Sequence, residues 1–342
     1  MKTLQLLAGK PETIPAATSL VIADLAEARG RQASSARQPI QWLRVMREQA
    51  LAESVASSNR IEGMAIDRKK GGAIFFSEPL NFREAEEVLG YRRALDRIFD
   101  PETKPPVSGD TILQLHTLAC GNTETAGAPA FSDELNELVA LFSQSLEKRW
   151  VHPLIVLAAF NLDFLCTRPF RDGNGRLSRL LLLLQSIHLG YGVGRYISLE
   201  RLIEQNKDQY RETLEQSSRR WRNGRHNPWP YIDYLLSIFK TAYGEFEDRL
   251  NEPRSPRGAK TELVEAAVNA FPGDFNLAEL EKACLKVSHD MVRKVLRDLR
   301  EAGIVECLGR GPGARWRKKD TSFCPRIVTE KITKAFDRRN AG

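Results

Sequence analysis

Residues 168–179 read Arg-Pro-Phe-Arg-Asp-Gly-Asn-Gly-Arg-Leu-Ser-Arg, and the chain is strongly apolar on both sides of them. Pro153 to Cys166 is an almost unbroken apolar segment that opens on a proline, as buried helices often do. Five consecutive leucines, Leu180 to Leu184, follow the quoted stretch, and Gly190 is a natural helix end. The sequence therefore predicts two buried helices that are joined by a tight, glycine-containing loop.

The loop Asp172-Gly173-Asn174-Gly175 feeds directly into the second of these helices. Glycines let a backbone approach a ligand closely, and the first N–H groups of a helix point out toward it. Arg176 and Arg179 are three residues apart, so both can project toward the same end of the helix. Together with the Asp172 carboxylate, a hard ligand for Mg²⁺, these groups predict a phosphate site. The alternative is a plain helix-loop-helix corner in which the Asp-Gly and Asn-Gly pairs only make the turn.

The same segment resembles the signature of Fic (Fido) domain proteins, which is His-x-Phe-x-Asp/Glu-Gly-Asn-Gly-Arg-x-x-Arg. Members of that family typically transfer AMP from ATP to a hydroxyl side chain of a target protein. The resemblance implies a mainly α-helical Fic/Fido core, with ATP and Mg²⁺ as ligands. Every signature position matches except the first, where Arg168 replaces the catalytic histidine. Arginine stays protonated and has no acceptor atom, so it cannot act as the base that AMP transfer needs.

A second motif, Ser58-Asn59-Arg60-Ile61-Glu62-Gly63, ends an amphipathic helical stretch that begins at Ile40. Ser58 and Glu62 share a helix face, and Gly63 would terminate the helix. Taken alone, this is also the pattern of an ordinary surface helix end. Beside the first motif it resembles the inhibitory segment Ser/Thr-x-x-x-Glu-Gly/Asn of many Fic proteins, whose glutamate blocks the γ-phosphate position. That resemblance implies that Glu62 pairs with Arg179, because carboxylate and phosphate compete for one guanidinium.

The rest of residues 81–250 is predicted to be helical. Helices are expected over Phe82–Phe99, Asp110–Ala119 with Asp110 as N-cap, Ser132–Trp150, Leu199–Ser218 and Pro230–Leu250, after a helix at Ala16–Ala28 and a loop at Arg68–Leu80. Fic cores usually carry a β-hairpin flap that docks the target peptide, and Cys120–Phe131 has only turn composition at its place, so we expect the flap to be shortened or lost. The resemblance also assigns Tyr210 to the border of the adenine, whereas a tyrosine on a helix is more often partly core.

A different pattern begins after Asn251–Gly258, which has the composition of a linker. Three short helices, a strand at Ile304–Leu308 and a basic turn are similar to a winged helix-turn-helix over residues 259–320, with 321–342 as a tail. Residues 255–342 hold 18 Lys/Arg and 12 Asp/Glu, so they carry +6 of the net charge of +7. The basic residues expected to contact duplex DNA are Arg293, Lys294 and Arg297 on the third helix and Arg310, Arg315 and Arg317 on the wing. The alternative is a protein-interaction or dimerisation module, which leaves a homodimer open.

Cysteine and histidine usage predicts a reduced protein without a metal cluster. The five cysteines show no CxxC spacing and the five histidines are scattered. No apolar run approaches the roughly 20 residues that span a membrane, so the protein is expected to be cytoplasmic. Residues 1–80 are predicted to form N-terminal helices that carry the inhibitory motif.

These observations favour a Fic-fold nucleotide-binding protein that is autoinhibited through Glu62, lacks the catalytic base and is coupled to a DNA-binding module. The main alternative is an active protein adenylyltransferase in which another group takes the place of the histidine. A third is an interaction scaffold that binds no nucleotide.

Overall fold

The computed structural model describes residues 1–9, 14–34, 40–64, 66–68, 74–76, 82–100, 102–120 and 131–251. In the C-terminal quarter it describes 261, 264–265, 267–268, 271, 273–284, 287–309, 311 and 313–319. The chain divides into two compact units. One comprises Met1–Ala36 with Ala50–Leu250, and the other comprises Arg37–Gln49 with Asn251–Gly342. The described residues of both units are mainly helical, which confirms the predicted mainly α-helical fold.

Helices precede the C-terminal quarter almost without interruption. In chain order they are α1 (Lys2–Gly9), α2 (Ala16–Ser34), α3 (Ile40–Ile61), α4 (Phe82–Phe99), α5 (Gly109–Cys120), α6 (Phe131–Lys148), α7 (Pro153–Thr167), α8 (Asn174–His188), α9 (Leu199–Gln205), α10 (Lys207–Ser218) and α11 (Trp229–Asn251). Between α3 and α4, strands β1 (Ile66–Arg68) and β2 (Ile74–Phe76) pair antiparallel, with Ile66 opposite Phe76. The expected loop at Arg68–Leu80 is therefore wrong where β2 forms, because an Ile-Phe-Phe run has strong strand preference.

Helices α7 and α8 form the centre of the first unit. Leu154 to Phe164 and Arg176 to Ser186 are buried on every side of their helices. Helices α1, α6 and α10 pack on α7, while α4 and α5 pack on α8. An apolar segment without a polar face must be covered all round, which explains why the two helices beside the signature loop become the core. The loop is consequently held between two rigid elements.

A buried carboxylate fixes the N-terminal helix to this core. The two oxygens of Asp163 accept hydrogen bonds from the backbone N–H groups of Thr3 and Leu4, at 2.9 and 3.0 Å. The indole N–H of Trp221 donates to the same carboxylate. Asp163 thus satisfies amides at the start of α1 that have no partner within their own helix.

Two details differ from the predicted helices. Ser108, not Asp110, caps α5, since its hydroxyl accepts from the Thr111 N–H at 3.2 Å. The expected single helix Leu199–Ser218 is interrupted at Asn206, whose side-chain amide donates to the Leu202 carbonyl at 3.0 Å. Asparagine side chains compete with the backbone for such bonds, and this competition favours a break.

The second unit has its own apolar core. Its elements are β3 (Phe275–Asn276), α12 (Leu277–Ala283), α13 (His289–Glu301), β4 (Val305–Cys307) and β5 (Arg315–Lys318), with sheet order β3-β5-β4. Asn276 and Glu279 form a capping box at the start of α12, and Ser288 is the N-cap residue of α13, although its side chain makes no capping bond. Val292, Val295 and Leu296 carry the buried face of α13.

Some predictions fall outside the described residues. These are the shortened flap within Cys120–Phe131, of which 121–130 are not described, the linker at 252–258, the role of Arg310 and the tail at 321–342. Across the helices that are described, none has both the length and the apolar character needed to cross a bilayer.

Candidate functional site

The signature loop leaves α7 through a left-handed residue. Arg168 adopts φ 50° and ψ 61°, its N–H donates to the Phe164 carbonyl, and its side chain is exposed. Farther along, the Asn174 side chain accepts from the Phe170 N–H at 3.0 Å and donates to the Phe170 carbonyl at 2.5 Å. The side chain of Asn174 therefore closes the loop on itself.

The loop packs against one face of α5. The His116 ring stacks on Phe170 with centroids 3.7 Å apart, and its Nε2–H donates to the Asp172 carbonyl at 3.2 Å. Gly173 has φ 74°, and a Cβ there would lie 2.1 Å from the Cys120 sulfur. Only glycine fits this position, both for its backbone angle and for its contact.

This packing corrects one prediction. The sequence indicated no cluster of metal-ligating side chains, yet His116, Cys120 and Asp172 place one ligand atom each within 4.8 Å of one another. Spacing along the chain could not show it, because α5 and the loop are more than fifty residues apart. Burial lowers the pKa of His116 below its ordinary value, against opposing contributions from the backbone and charge of Asp172.

The start of α8 is occupied by a carboxylate from α3. Gly173 is the N-cap residue and no side-chain hydrogen bond caps the helix. A Cβ on Gly175 would lie 2.6 Å from Glu62 Oε1, so this carboxylate lies directly against the first turn of α8. The same oxygen is 2.7 Å from Arg179 Nη2. The pairing of Glu62 with Arg179 that the resemblance implied is present.

Ser58 holds the other side of the Arg179 guanidinium. Nε donates to Ser58 Oγ at 2.9 Å, and Nη2 donates to the Ser58 carbonyl at 3.0 Å. Arg179 is almost fully buried, whereas 35% of the Glu62 side chain is exposed. Gly63 follows with φ 96°, a conformation that ends α3 and suits glycine.

Charges at this point favour the ionised carboxylate. Burial alone would raise the pKa of Glu62, but the charge and hydrogen bond of Arg179, helped by Arg176 and Lys207, hold that pKa below its ordinary value. An anion is thus stabilised where the helix dipole, free amides and a buried guanidinium meet.

The segment that contains this loop and α8 also matches a known protein family. The model of the Fic/DOC family matches residues 91–186, which contain the loop and most of α8. Residues 91–186 are thus similar to a Fic/DOC family domain. Among solved structures, a Fic family protein from Desulfovibrio desulfuricans aligns at 20% identity with a TM-score of 0.54, over 91% of this chain and 98% of that chain. Fic-1 from C. elegans aligns at 19% identity with a TM-score of 0.55, over 69% of this chain and 73% of that chain.

At these identities the two solved structures show the fold of the Fic/DOC domain and nothing finer. No curated protein matches the sequence.

Arg176, the first arginine of the Fic/DOC signature, is directed toward α4. Its Nη1 donates to Glu87 Oε2 at 2.8 Å, and both side chains are more than nine-tenths buried. The sequence predicted Arg176 as a phosphate ligand but did not single out Glu87, since an acid in the Glu-Ala-Glu-Glu run of α4 looks like a solvated residue. A phosphate contact by Arg176 would have to compete with this ion pair.

Tyr210 lies in an aromatic cluster with Tyr231 and Tyr234. Its ring centroid is 6.0 Å from that of Tyr231 and 5.8 Å from that of Tyr234, and it is 7% exposed. It therefore contributes to the core of the domain, and its assignment to the adenine stays a prediction.

The second unit displays part of its predicted cationic surface. Arg293, Lys294 and Arg297 are exposed on α13, opposite the buried valines and leucines. On β5, both Nε and Nη2 of Arg317 donate to the Asp274 carboxylate at 2.8 Å, and Arg315 donates to the Asp274 carbonyl at 3.4 Å. The cations of α13 are thus exposed to solvent, whereas the arginines of β5 donate hydrogen bonds to Asp274.

Proposed function

We propose that the Fic/DOC domain binds ATP with Mg²⁺ and is autoinhibited by Glu62. The observation that carries the proposal is the position of the Glu62 carboxylate, which lies against Gly175 and on Arg179. A carboxylate resembles a phosphate in charge and in the donors that it needs. The groups that bind the Glu62 carboxylate here could also bind a phosphate of a nucleotide. Glu62 would then compete with that phosphate for the same position.

The residues present fit a hard divalent cation beside a phosphate. Asp172 offers carboxylate oxygens at the entrance to α8 and is only partly buried. When bound, Mg²⁺ would neutralise phosphate charge and orient the phosphates. Backbone amides of Gly173, Asn174 and Gly175 would bind phosphate oxygens, and Arg179 would neutralise them once Glu62 has left.

AMP transfer to a hydroxyl of a protein target is expected to be impaired. The transfer needs a group that takes the proton of the incoming hydroxyl, and Arg168 offers five donors but no acceptor. The second candidate function, active protein adenylyltransfer to Ser, Thr or Tyr, requires another base. It predicts that labelled ATP marks this protein or a target without any substitution.

Calorimetric titration of the full chain with ATP, ADP or AMP in the presence of Mg²⁺ tests the proposal. Glu62→Gly should tighten ATP binding at least several-fold and AMP binding little, because AMP lacks the contested outer phosphates. Glu204→Gln is a matched control, since Glu204 pairs with Arg60 and does not contact Arg179. Equal gains for ATP and AMP, or no binding of either nucleotide by the Glu62 variant, would rule the mechanism out.

We further propose that the second unit binds duplex DNA as a winged helix, so that nucleotide occupancy regulates a DNA-bound protein. The exposed cations of α13 and the order of elements, two helices followed by a hairpin, support this proposal. Binding of duplex DNA by the full chain, and its loss when these cations are neutralised, is the test.

A further inference from the structure

We propose that His116, Cys120 and Asp172 form a binding site for a divalent transition metal of the zinc class. His116 and Cys120 are four residues apart on α5, so they lie on the same helix face. Asp172 comes from the loop that packs against that face. A ring nitrogen, the thiol sulfur and a carboxylate oxygen lie within 4.8 Å of one another, and the first two side chains are each 2% exposed.

The fold brings the three groups together through contacts that are already specific. Phe170 stacks on His116, and Gly173 has no Cβ where the sulfur of Cys120 approaches. Tetrahedral zinc with bonds of about 2.0–2.3 Å separates its ligand atoms by roughly 3.3–3.8 Å. Side-chain rotations that shorten the longest distance between the three ligand atoms by about 1 Å would therefore give the spacing that zinc requires.

The state of the His116 ring suits a ligand. Its Nε2–H donates to the Asp172 carbonyl, so the other nitrogen, Nδ1, carries the lone pair. Nδ1 is buried and has no hydrogen-bond partner among the residues that the structure describes. Nε2 is the ring nitrogen nearest the Gly173 Cβ position beside Cys120, so the ring must turn for Nδ1 to reach the ion. Metal-bound histidines usually keep the other nitrogen on a carbonyl or carboxylate.

The donor set selects the metal. Nitrogen, sulfur and oxygen ligands suit zinc and its neighbours, whereas a thiolate disfavours Mg²⁺. Binding takes one proton from the Cys120 thiol and releases it to solvent. Three protein ligands leave the fourth position of a tetrahedral ion open. The site shares Asp172 with the proposed Mg²⁺–nucleotide site but has its own nitrogen and sulfur ligands, so it does not require that ATP binds.

Cobalt is a spectroscopic probe for this site in the full-length protein. Titration of the reduced, metal-free chain with Co²⁺ should produce a thiolate-to-cobalt charge-transfer absorption that saturates at one equivalent, and Zn²⁺ should remove it. Cys120→Ser should lose this absorption. Cys166→Ser should keep it, because burial raises the pKa of the Cys166 thiol to about 12 and its helix α7 carries no part of the cluster.

His116→Gln and Asp172→Asn provide two further variants, each of which should weaken Co²⁺ binding by more than about tenfold. Far-ultraviolet circular dichroism without metal confirms that each variant folds. Absence of the thiolate band in the folded wild-type chain, or its persistence in folded Cys120→Ser, would overturn the metal site. Calorimetry with ATP on the same samples is a separate measurement, so failure of nucleotide binding leaves the cobalt result intact.

Discussion

The Glu62 carboxylate pairs with Arg179 and lies against the first turn of α8. Arg179 is a nearly fully buried cation, and a buried charge without a partner is strongly destabilising. The first turn of α8 also presents amides that no side chain caps. Because the Glu62 carboxylate compensates the buried charge of Arg179, its removal should weaken the fold while it frees the site. The proposed autoinhibition and the stability of the fold are therefore coupled at a single residue.

That coupling predicts a pH dependence. The pKa of Glu62 in the folded protein lies below its ordinary value of 4.5, so folding favours the ionised form. Its stabilisation is complete above about pH 4.5 and is lost as the pH falls through the lower, folded value. Thermal unfolding of the wild type and of Glu62→Gln should show a constant difference near neutral pH that shrinks in acid. A difference that widens as the pH falls would contradict this assignment.

The residue at position 168 should decide whether a variant can transfer AMP. Unmodified protein and Glu62→Gly should show no AMP transfer, because neither has a base at position 168. The double variant Glu62→Gly, Arg168→His restores a proton acceptor, and histidine tolerates the left-handed backbone of this position. We expect slow self-modification, measured by mass spectrometry as a gain of one AMP, because a tethered hydroxyl needs little docking.

Arg168→Gln with Glu62→Gly is the matched control, since glutamine removes the charge without adding a base. If Glu62→Gly alone gains the mass of AMP, Arg168 does not disable the site and the active-enzyme alternative is correct. If the histidine variant also gains nothing, the missing function extends beyond the base.

At the scale of the elements, a glycine sets how closely α4 and α5 pack. A Cβ on Gly90 of α4 would lie 1.7 Å from the Leu118 carbonyl oxygen of α5. Gly90→Ala should therefore separate the helices and destabilise the fold by about 1–3 kcal/mol or more. Gly244→Ala in α11 is the control, since nothing lies within 4 Å of its Cβ position and alanine favours a helix by about 0.5–1 kcal/mol. Urea unfolding of both variants measures the two effects, and equal shifts would refute the packing argument.

The elements also show how far local sequence determines this fold. The bounds Phe82–Phe99 of α4 follow from apolar periodicity, and the leucine run of α8 indicates a buried helix. The break at Asn206 depends on one side-chain bond that competes with the helix, which periodicity does not contain. Helix existence is thus more predictable than helix continuity.

The site residues also differ in how far the sequence alone indicates them. The loop follows from its own residues, whereas the pair of Glu62 with Arg179 is implied by the resemblance of two motifs to a known family. Glu87 and His116 follow from neither, because their importance arises only when α4 and α5 pack against α8. A buried ion pair and a ligand cluster between distant segments leave no local pattern.

At the scale of the whole molecule, the uneven charge predicts a salt-dependent interaction. Nearly all of the excess positive charge lies in residues 255–342. On α13, Arg293, Lys294 and Arg297 are exposed, although Asp290 and Asp298 on the same helix reduce the local field. Lysine and arginine that neutralise DNA phosphates release counterions, so affinity should fall steeply as salt is added.

A triple variant, Arg293→Gln, Lys294→Gln and Arg297→Gln, tests this interaction in the full chain. Each phosphate contact contributes about 0.9 to the slope of log affinity against log salt concentration, so the slope should fall by up to about 2.7. Fluorescence anisotropy with a labelled duplex at several salt concentrations measures this slope.

Arg317→Gln is the control and should change the slope less, because Asp274 already pairs with that guanidinium. An unchanged slope in the triple variant, or equal binding by residues 1–255 alone, would show that α13 is not the DNA-binding surface. In that case a protein-interaction role for the second unit becomes the better explanation.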